Sequence, residues 1–172
     1  DMITRINWMG RPVAFTKSLR ITNDESGTLQ INYAFDNLPP EEVIHFGIEF
    51  NFAGLAADSE ERYFYDGAGR QFGPINSRLD WSDVSRVGLV DEWLGVDTSL
   101  DFSVPAGIWS IPIQTVSQSE GGYELVYQSC SMLTHWEFPV PEDGHWEVSI
   151  AMSLDTSLAQ ARNLGEVSAV TT

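Results

Sequence analysis

Three runs of this chain alternate apolar and polar residues with a period of two. In "GTLQINYAF" (27–35), Leu29, Ile31, Tyr33 and Phe35 share one side and Thr28, Gln30, Asn32 and Ala34 the other. "VIHFGIEFNF" (43–52) puts Ile44, Phe46, Ile48, Phe50 and Phe52 opposite His45, Gly47, Glu49 and Asn51. "HWEVSIAMSL" (145–154) turns Trp146, Val148, Ile150, Met152 and Leu154 inward. Successive side chains of a strand point to opposite faces, so this is the signature of antiparallel strands with one face dry and one wet.

Shorter strand candidates are "SLRIT" (18–22), "RYFY" (62–65), "RVGLVDEW" (86–93), "VDTSLDFS" (96–103), "GIWSIPIQTV" (107–116) and "MLTHWEF" (132–138). Gly, Pro, Asp and Asn punctuate them at "NDESG" (23–27), "LPPEE" (38–42), "DGAG" (66–69), "VPAG" (104–107) and "PEDG" (141–144), each a turn by its chemistry. Only "SLAQARNLG" (157–165) reads as helical, and "NSRLDWSDVSR" (76–86) as irregular or one helical turn. The fold class expected is all-β, an antiparallel β-sandwich with little helix, occupying 1–172 as a single domain. An opening Asp1 and a closing "EVSAVTT" suggest a C-terminal fragment of a longer enzyme.

Acidic residues outnumber basic ones by 25 to 9, for a net charge of −16. That charge repels phosphate backbones and anionic lipid, so neither nucleic acid nor a membrane is an expected partner, while neutral sugars are not penalised. No apolar run approaches a membrane span. Cys130 is the single cysteine, which precludes an intrachain disulfide and fits a reducing, cytoplasmic setting. Cys130 is expected to pack as a small apolar residue.

The segment "PIQTVSQSEGGYELVYQS" (112–129) reads as a hairpin on Gly121-Gly122. That turn sets Glu120 against Tyr123, Gln118 against Leu125, Val116 against Tyr127 and Gln114 against Ser129. Its base is apolar through Trp109, Ile111, Ile113 and Met132, and polarity rises toward the tip on both faces. Either the tip stands in water, or its amides and carboxylates meet a polar partner such as another domain or a sugar.

The run 87–129, with "DEWLG", "FSVPAGIWSIPI" and "TVSQSEGGYELVYQ", resembles the C-terminal β-sandwich domain of glycoside hydrolase family 57 proteins, the 4-α-glucanotransferases and α-amylase-like enzymes. "HFGIEFNF" is similar to a strand of the same domain. The resemblance implies a galactose-mutarotase-like sandwich packed against an N-terminal catalytic (β/α) barrel that carries the catalytic carboxylates. Nothing in this chain has the βα alternation of that barrel, so no catalytic residue is carried over. The resemblance favours a contact role for Gln114, Gln118, Glu120 and Gln128.

Two further readings stay open. A carbohydrate-binding module for α-glucan oligosaccharides would use Trp81 or Trp93 as a stacking platform, or the polar face His45/Glu49/Asn51. An autonomous epimerase-like enzyme would pair a His acid with a Glu base, but His45 and Glu49 stand about 13 Å apart along one strand. His45, His135 and His145 fall on separate strands with no metal-ligand spacing, so no metal and no cofactor are expected. Trp109 and Trp136 are placed inside.

Overall fold

The computed structural model describes residues 1–8, 10–22, 27–53, 57, 59–119 and 121–163. Those residues form ten strands and one short helix: β1 (Met2–Trp8), β2 (Arg11–Ile21), β3 (Leu29–Asp36), β4 (Val43–Ala53), β5 (Arg62–Asp66), β6 (Gln71–Pro74), β7 (Leu79–Asp91), β8 (Val96–Ser119), β9 (Gly122–Pro139), β10 (Trp146–Asp155) and α1 (Ser157–Asn163). Every pairing is antiparallel. The all-β expectation holds.

The long strand β8 organises the rest. Its first half pairs with β10 from Asp97 to Phe102, and its second half pairs with β9 from Gly107 to Ser119. β7 runs beside both halves. One layer is therefore β1-β2-β3-β10 continuing into β8, and a second is β4-β9 continuing into the same strand. The layers close on each other through aromatic rings. Phe46 of β4 meets Phe35 edge-on at 5.0 Å and Tyr33 at 5.5 Å, and lies 6.1 Å from Trp136. Trp146 stacks flat on Phe138 at 4.0 Å. Each such pair adds about 0.5–1.5 kcal/mol beyond the area it buries.

The alternating runs fold as read. Ile31, Tyr33, Phe35, Ile44, Val148 and Ile150 are buried, while His45, Glu49 and Asn51 face outward. Leu154 is an exception, half exposed where β10 runs out. Three other expectations are corrected, and the N-terminal residues, to which the sequence pattern assigned no element, make β1 and the start of β2 as a hairpin. Of "NSRLDWSDVSR", residues 76–78 are irregular as expected, while 79–86 are the bulged first half of β7 and not helical; its register slips between Trp81 and Val84 and again before Arg86. "VPAG" makes no turn, because β8 bends there and continues. The hairpin register is two residues tighter than the sequence suggests: Gln118 faces Tyr123 and Val116 faces Leu125, with a bulge at Ile113/Gln114 restoring Ile113 to Ser129. The turn expected at "NDESG" and the site residue Glu120 lie outside the described residues, as does the end of "SLAQARNLG".

Candidate functional site: an outer sheet face and a cleft at the strand bend

The second half of β8 is apolar on both sides. Ala106, Ile108 and Ser110 point into the core, the last with its hydroxyl 3.2 Å from the buried Cys130 thiol. Trp109, Ile111 and Ile113 point the other way and remain 37%, 46% and 42% exposed. This corrects the placing of Trp109 inside; Trp136, the other tryptophan so placed, is buried. An antiparallel strand wet on one face alternates with polar residues, whereas a strand covered on both faces does not. The stripe continues onto β9 through Leu133 and Val126.

Beyond Ile113 the hairpin leaves the sandwich. Gln114, Gln118 and Gln128 are exposed there, Gln128 donating to Thr115 Oγ1 at 3.2 Å and to the Val126 carbonyl. The tighter register adds something the sequence reading missed: Val116, Leu125 and Tyr123 sit together, all largely exposed, on the face opposite Val126. At the hairpin base, burial pushes the Tyr127 phenol up to about 12, and its hydroxyl has no partner among the described residues.

At the other end of the outer face two histidines meet. His45 on β4 and His135 on β9 are diagonal neighbours, since Gly47 pairs with His135 and His45 with Glu137. His45 Nε2 lies 3.0 Å from His135 Nδ1. Separate strands therefore do bring two imidazoles together, contrary to expectation, because register rather than sequence spacing decides which side chains meet. No set of three His, Cys, Asp or Glu side chains suited to a metal occurs among the described residues. The His135 ring stacks on Trp109 at 4.1 Å and lies over Gly107, where any Cβ would strike it. Trp109 Nε1 donates to Asp80 Oδ1 at 3.0 Å. Burial, then the neighbouring His45, holds His135 below the usual imidazole range, and its Nε2 is sealed without a partner among the described residues. A neutral His135 satisfies this geometry: Nδ1–H donates to His45, leaving Nε2 as a bare lone pair, which costs less to bury than an N–H. Glu49, the third member of the polar face, accepts from Ser131 at 2.8 Å and does not join the histidines.

A cleft of about 520 Å³ opens where β7 bulges, between the β5–β6 turn and residues 80–86. Trp81 forms part of its wall, packed on Phe72 at 4.2 Å. A second cavity of about 320 Å³, beside the histidines, shares Ser82 and Asp83 with the first. Trp93 is in neither. It stands 64% exposed on the β7–β8 turn with the Arg62 guanidinium 5.7 Å over its ring.

Comparison with known proteins now places this framework. The sequence profile of the family described as "Alpha-amylase/4-alpha-glucanotransferase, C-terminal" matches residues 2–150. The chain belongs to this family. Alpha-amylase 1 of Dictyoglomus thermophilum is 27% identical over 140 residues, which cover 78% of this chain and 19% of that protein. The crystal structure of 4-alpha-glucanotransferase from Thermococcus litoralis shares the fold, with a TM-score of 0.57 at 19% identity over 83% of this chain and 18% of that one. The chain thus spans about a fifth of the length of the relatives it matches. The resemblance drawn from the polar hairpin and its flanks is borne out: this is a C-terminal domain of the α-amylase/4-α-glucanotransferase type.

Within this family member, the site residues named from sequence occupy four places. Gln114, Gln118 and Gln128 are on the projecting hairpin, His45, Glu49 and Asn51 on the outer face, Trp81 in the cleft and Trp93 on a turn. The residues that reading missed are Trp109, His135, Asp80 and Asp83. The signal for Trp109 was present in "GIWSIPI", where both alternating sets are apolar apart from one serine.

Proposed function

We propose that this domain is a non-catalytic part of an α-glucan-active enzyme, held through the outer face of β8 and β9 against an N-terminal catalytic region of the same polypeptide. The observation that carries the reading is the doubly apolar run 107–113. Three large side chains in register on an exposed sheet face are unusual for a surface in water and typical of one covered by protein. The comparisons support the choice of occupant: the relatives that this chain matches over about a fifth of their length have most of a polypeptide beside the matching domain. The hairpin adds a second apolar patch on its other face, since a ribbon wet on both sides has no use for Val116, Leu125 and Tyr123 beside one another. In this arrangement the glutamines form a polar rim around an apolar contact, as is usual in protein interfaces.

Oxidative footprinting tests the reading directly. Trp109 is expected to label readily in the isolated chain and to be protected in the full-length parent. Equal labelling in both overturns the contact, and so does protection in the isolated chain through a dimer seen by sedimentation, which would assign the face to a second copy. The isolated chain is expected to release no reducing sugar from maltoheptaose and to leave the rate of glucose anomer interconversion unchanged. Turnover that scales with its concentration would overturn the non-catalytic assignment.

A further inference from the structure

The cleft at the β7 bulge adjoins the surface just described, sharing Ser82 and Asp83 with the cavity beside Trp109, and has its own chemistry. Its volume, about 520 Å³, falls in the range of small-molecule sites. One wall is aromatic, made by Trp81 against Phe72. The Trp81 indole N–H makes no hydrogen bond among the described residues and is not sealed from solvent. The bulge, which begins at Trp81, supplies the next part of the lining. Asp83 there adopts φ +58°, in the left-handed region that a non-glycine residue occupies at a cost. Bulges of this kind re-aim side chains out of a ladder. Ser82, Asp83 and Ser85 are exposed as a result, and none makes a side-chain hydrogen bond among the described residues.

Charge selects the ligand class. The cleft holds two cations, and both are already matched. Arg70 pairs with Asp66 at 3.3 Å and lies over the Phe72 ring, while Arg86 reaches Asp101 at 3.4 Å and donates to Ser99 at 3.0 Å. The carboxylate of Asp80 receives the Trp109 indole. What remains for a ligand is an apolar ring surface, an indole donor, two hydroxyls and the Asp83 carboxylate. An anion would meet Asp83 and the chain's overall charge of −16 with no unpaired cation to greet it. A neutral polyol with C–H faces and hydroxyl edges fits each of these groups.

We infer that this cleft binds a neutral pyranose oligosaccharide, with Trp81, backed by Phe72, as the stacking wall and Asp83, Ser82 and Ser85 as hydroxyl partners. The inference rests on residues other than the docking stripe Trp109, Ile111 and Ile113, and the variants below separate the two. Membership of a family described by two α-glucan enzymes makes maltoheptaose the probe.

The test is a titration of the full chain with maltoheptaose, followed by amide chemical shifts. Shifts confined to residues 66–72 and 80–86, with a dissociation constant near or below about 10 mM, are expected. Trp81→Ala weakens binding at least about tenfold; because Trp81 also packs on the core, Asp83→Gly is the deciding variant. Glycine accepts φ +58° without strain, so Asp83→Gly keeps or raises the melting temperature while weakening binding about fivefold. Glucose 6-phosphate is expected to bind more weakly than glucose. No shift at about 10 mM, shifts elsewhere, unaltered binding by Asp83→Gly, or tighter binding of the phosphorylated sugar each overturns the inference. Ile111→Ser, which perturbs only the outer face, leaves this binding unchanged.

Discussion

The two halves of β8 belong to one strand and keep one alternation, yet their outward faces differ. In the first half the outward side chains are Asp97, Ser99 and Asp101, and neighbours satisfy each of them: Tyr65 donates to Asp97 at 2.8 Å, and Arg86 reaches both Ser99 and Asp101. In the second half the outward side chains are Trp109, Ile111 and Ile113, and among the described residues no strand layer covers them, so they stay partly exposed. The first half is finished within this chain; the second is finished only by something else. Polar outward residues close their own account with local partners, whereas apolar ones require area from a neighbour, about 25 cal/mol for each Å² removed from water.

The comparison breaks most visibly on the finished side. Arg62 of β5 and Asp91 of β7 form a buried pair at 2.7 Å, and Asp91 also caps the following turn through the Leu94 amide. Asp91→Ala leaves a guanidinium buried without its main counter-charge. A loss of about 3–5 kcal/mol is expected, read as a lowered urea midpoint at unchanged slope. Because the pair lies away from the outer face, the effect should be the same in the isolated chain and in the parent.

On the unfinished side the two contexts should separate. Trp109→Ala is expected to cost about 2 kcal/mol or more of docking in the parent, as a buried aromatic anchor does. Ile111→Ser should shift the isolated chain's stability by only about 1 kcal/mol, because about half of the side chain is already in water. Chemical denaturation of chain and parent side by side reads both. Losses equal in the two contexts would mean that the outer face serves this sandwich alone.

A smaller effect distinguishes two histidines by pH. His135, held below the ordinary imidazole range by burial and by His45, against opposing pulls from Asp80 and Glu137, is favoured neutral in the fold. The unfolded chain then binds the proton more readily, so His135's contribution is complete above about pH 6.5 and is lost as pH falls through the folded value. His145, raised by its 2.7 Å hydrogen bond to Asp36, has the opposite sign: its contribution is complete below about pH 6.5 and is lost as pH rises through the folded value. Urea midpoints at about pH 5 and about pH 8 should show His135→Gln softening the acid-side loss and His145→Gln destabilising only the acid side. The reverse pattern would mean that His135 is charged in the fold and the hydrogen-bond assignment is wrong.

What the sequence disclosed divides along the same line. Period-two runs such as 43–52 gave the correct inward face because burial acts on every second residue and needs no knowledge of the partner strand. Register carries no such local mark. The meeting of His45 with His135, the Val116–Leu125 pair and the β7 bulge all follow from which residue faces which, and that is fixed by the whole sheet. Trp109 was misplaced for a related reason: a tryptophan in an apolar run is usually interior, and only the strict alternation across Ile108, Trp109, Ser110 and Ile111 shows that one of the two apolar sets must point outward. The polar tip was legible as composition, but its apolar pair was hidden by a register error of two.

That error changes what the tip glutamines are expected to do, and here the predicted effect is smallest. With Gln118 opposite Leu125, the amides would dominate the end of the ribbon, and removing one would cost a contact. With Gln118 opposite Tyr123 and Val116 opposite Leu125, the amide stands beside an apolar pair that offers far more area. An exposed amide that keeps water at a rim contributes little, because the hydrogen bond it makes to a partner replaces one it made to solvent. Gln118→Ala should therefore alter docking of the parent by no more than about 0.5 kcal/mol, while Leu125→Ser costs about 1–2 kcal/mol through lost apolar burial. Both variants should leave the isolated chain's urea midpoint in place, since neither side chain touches the core. A docking loss larger for Gln118→Ala than for Leu125→Ser would restore the polar tip as the principal contact and demote the apolar face of the ribbon.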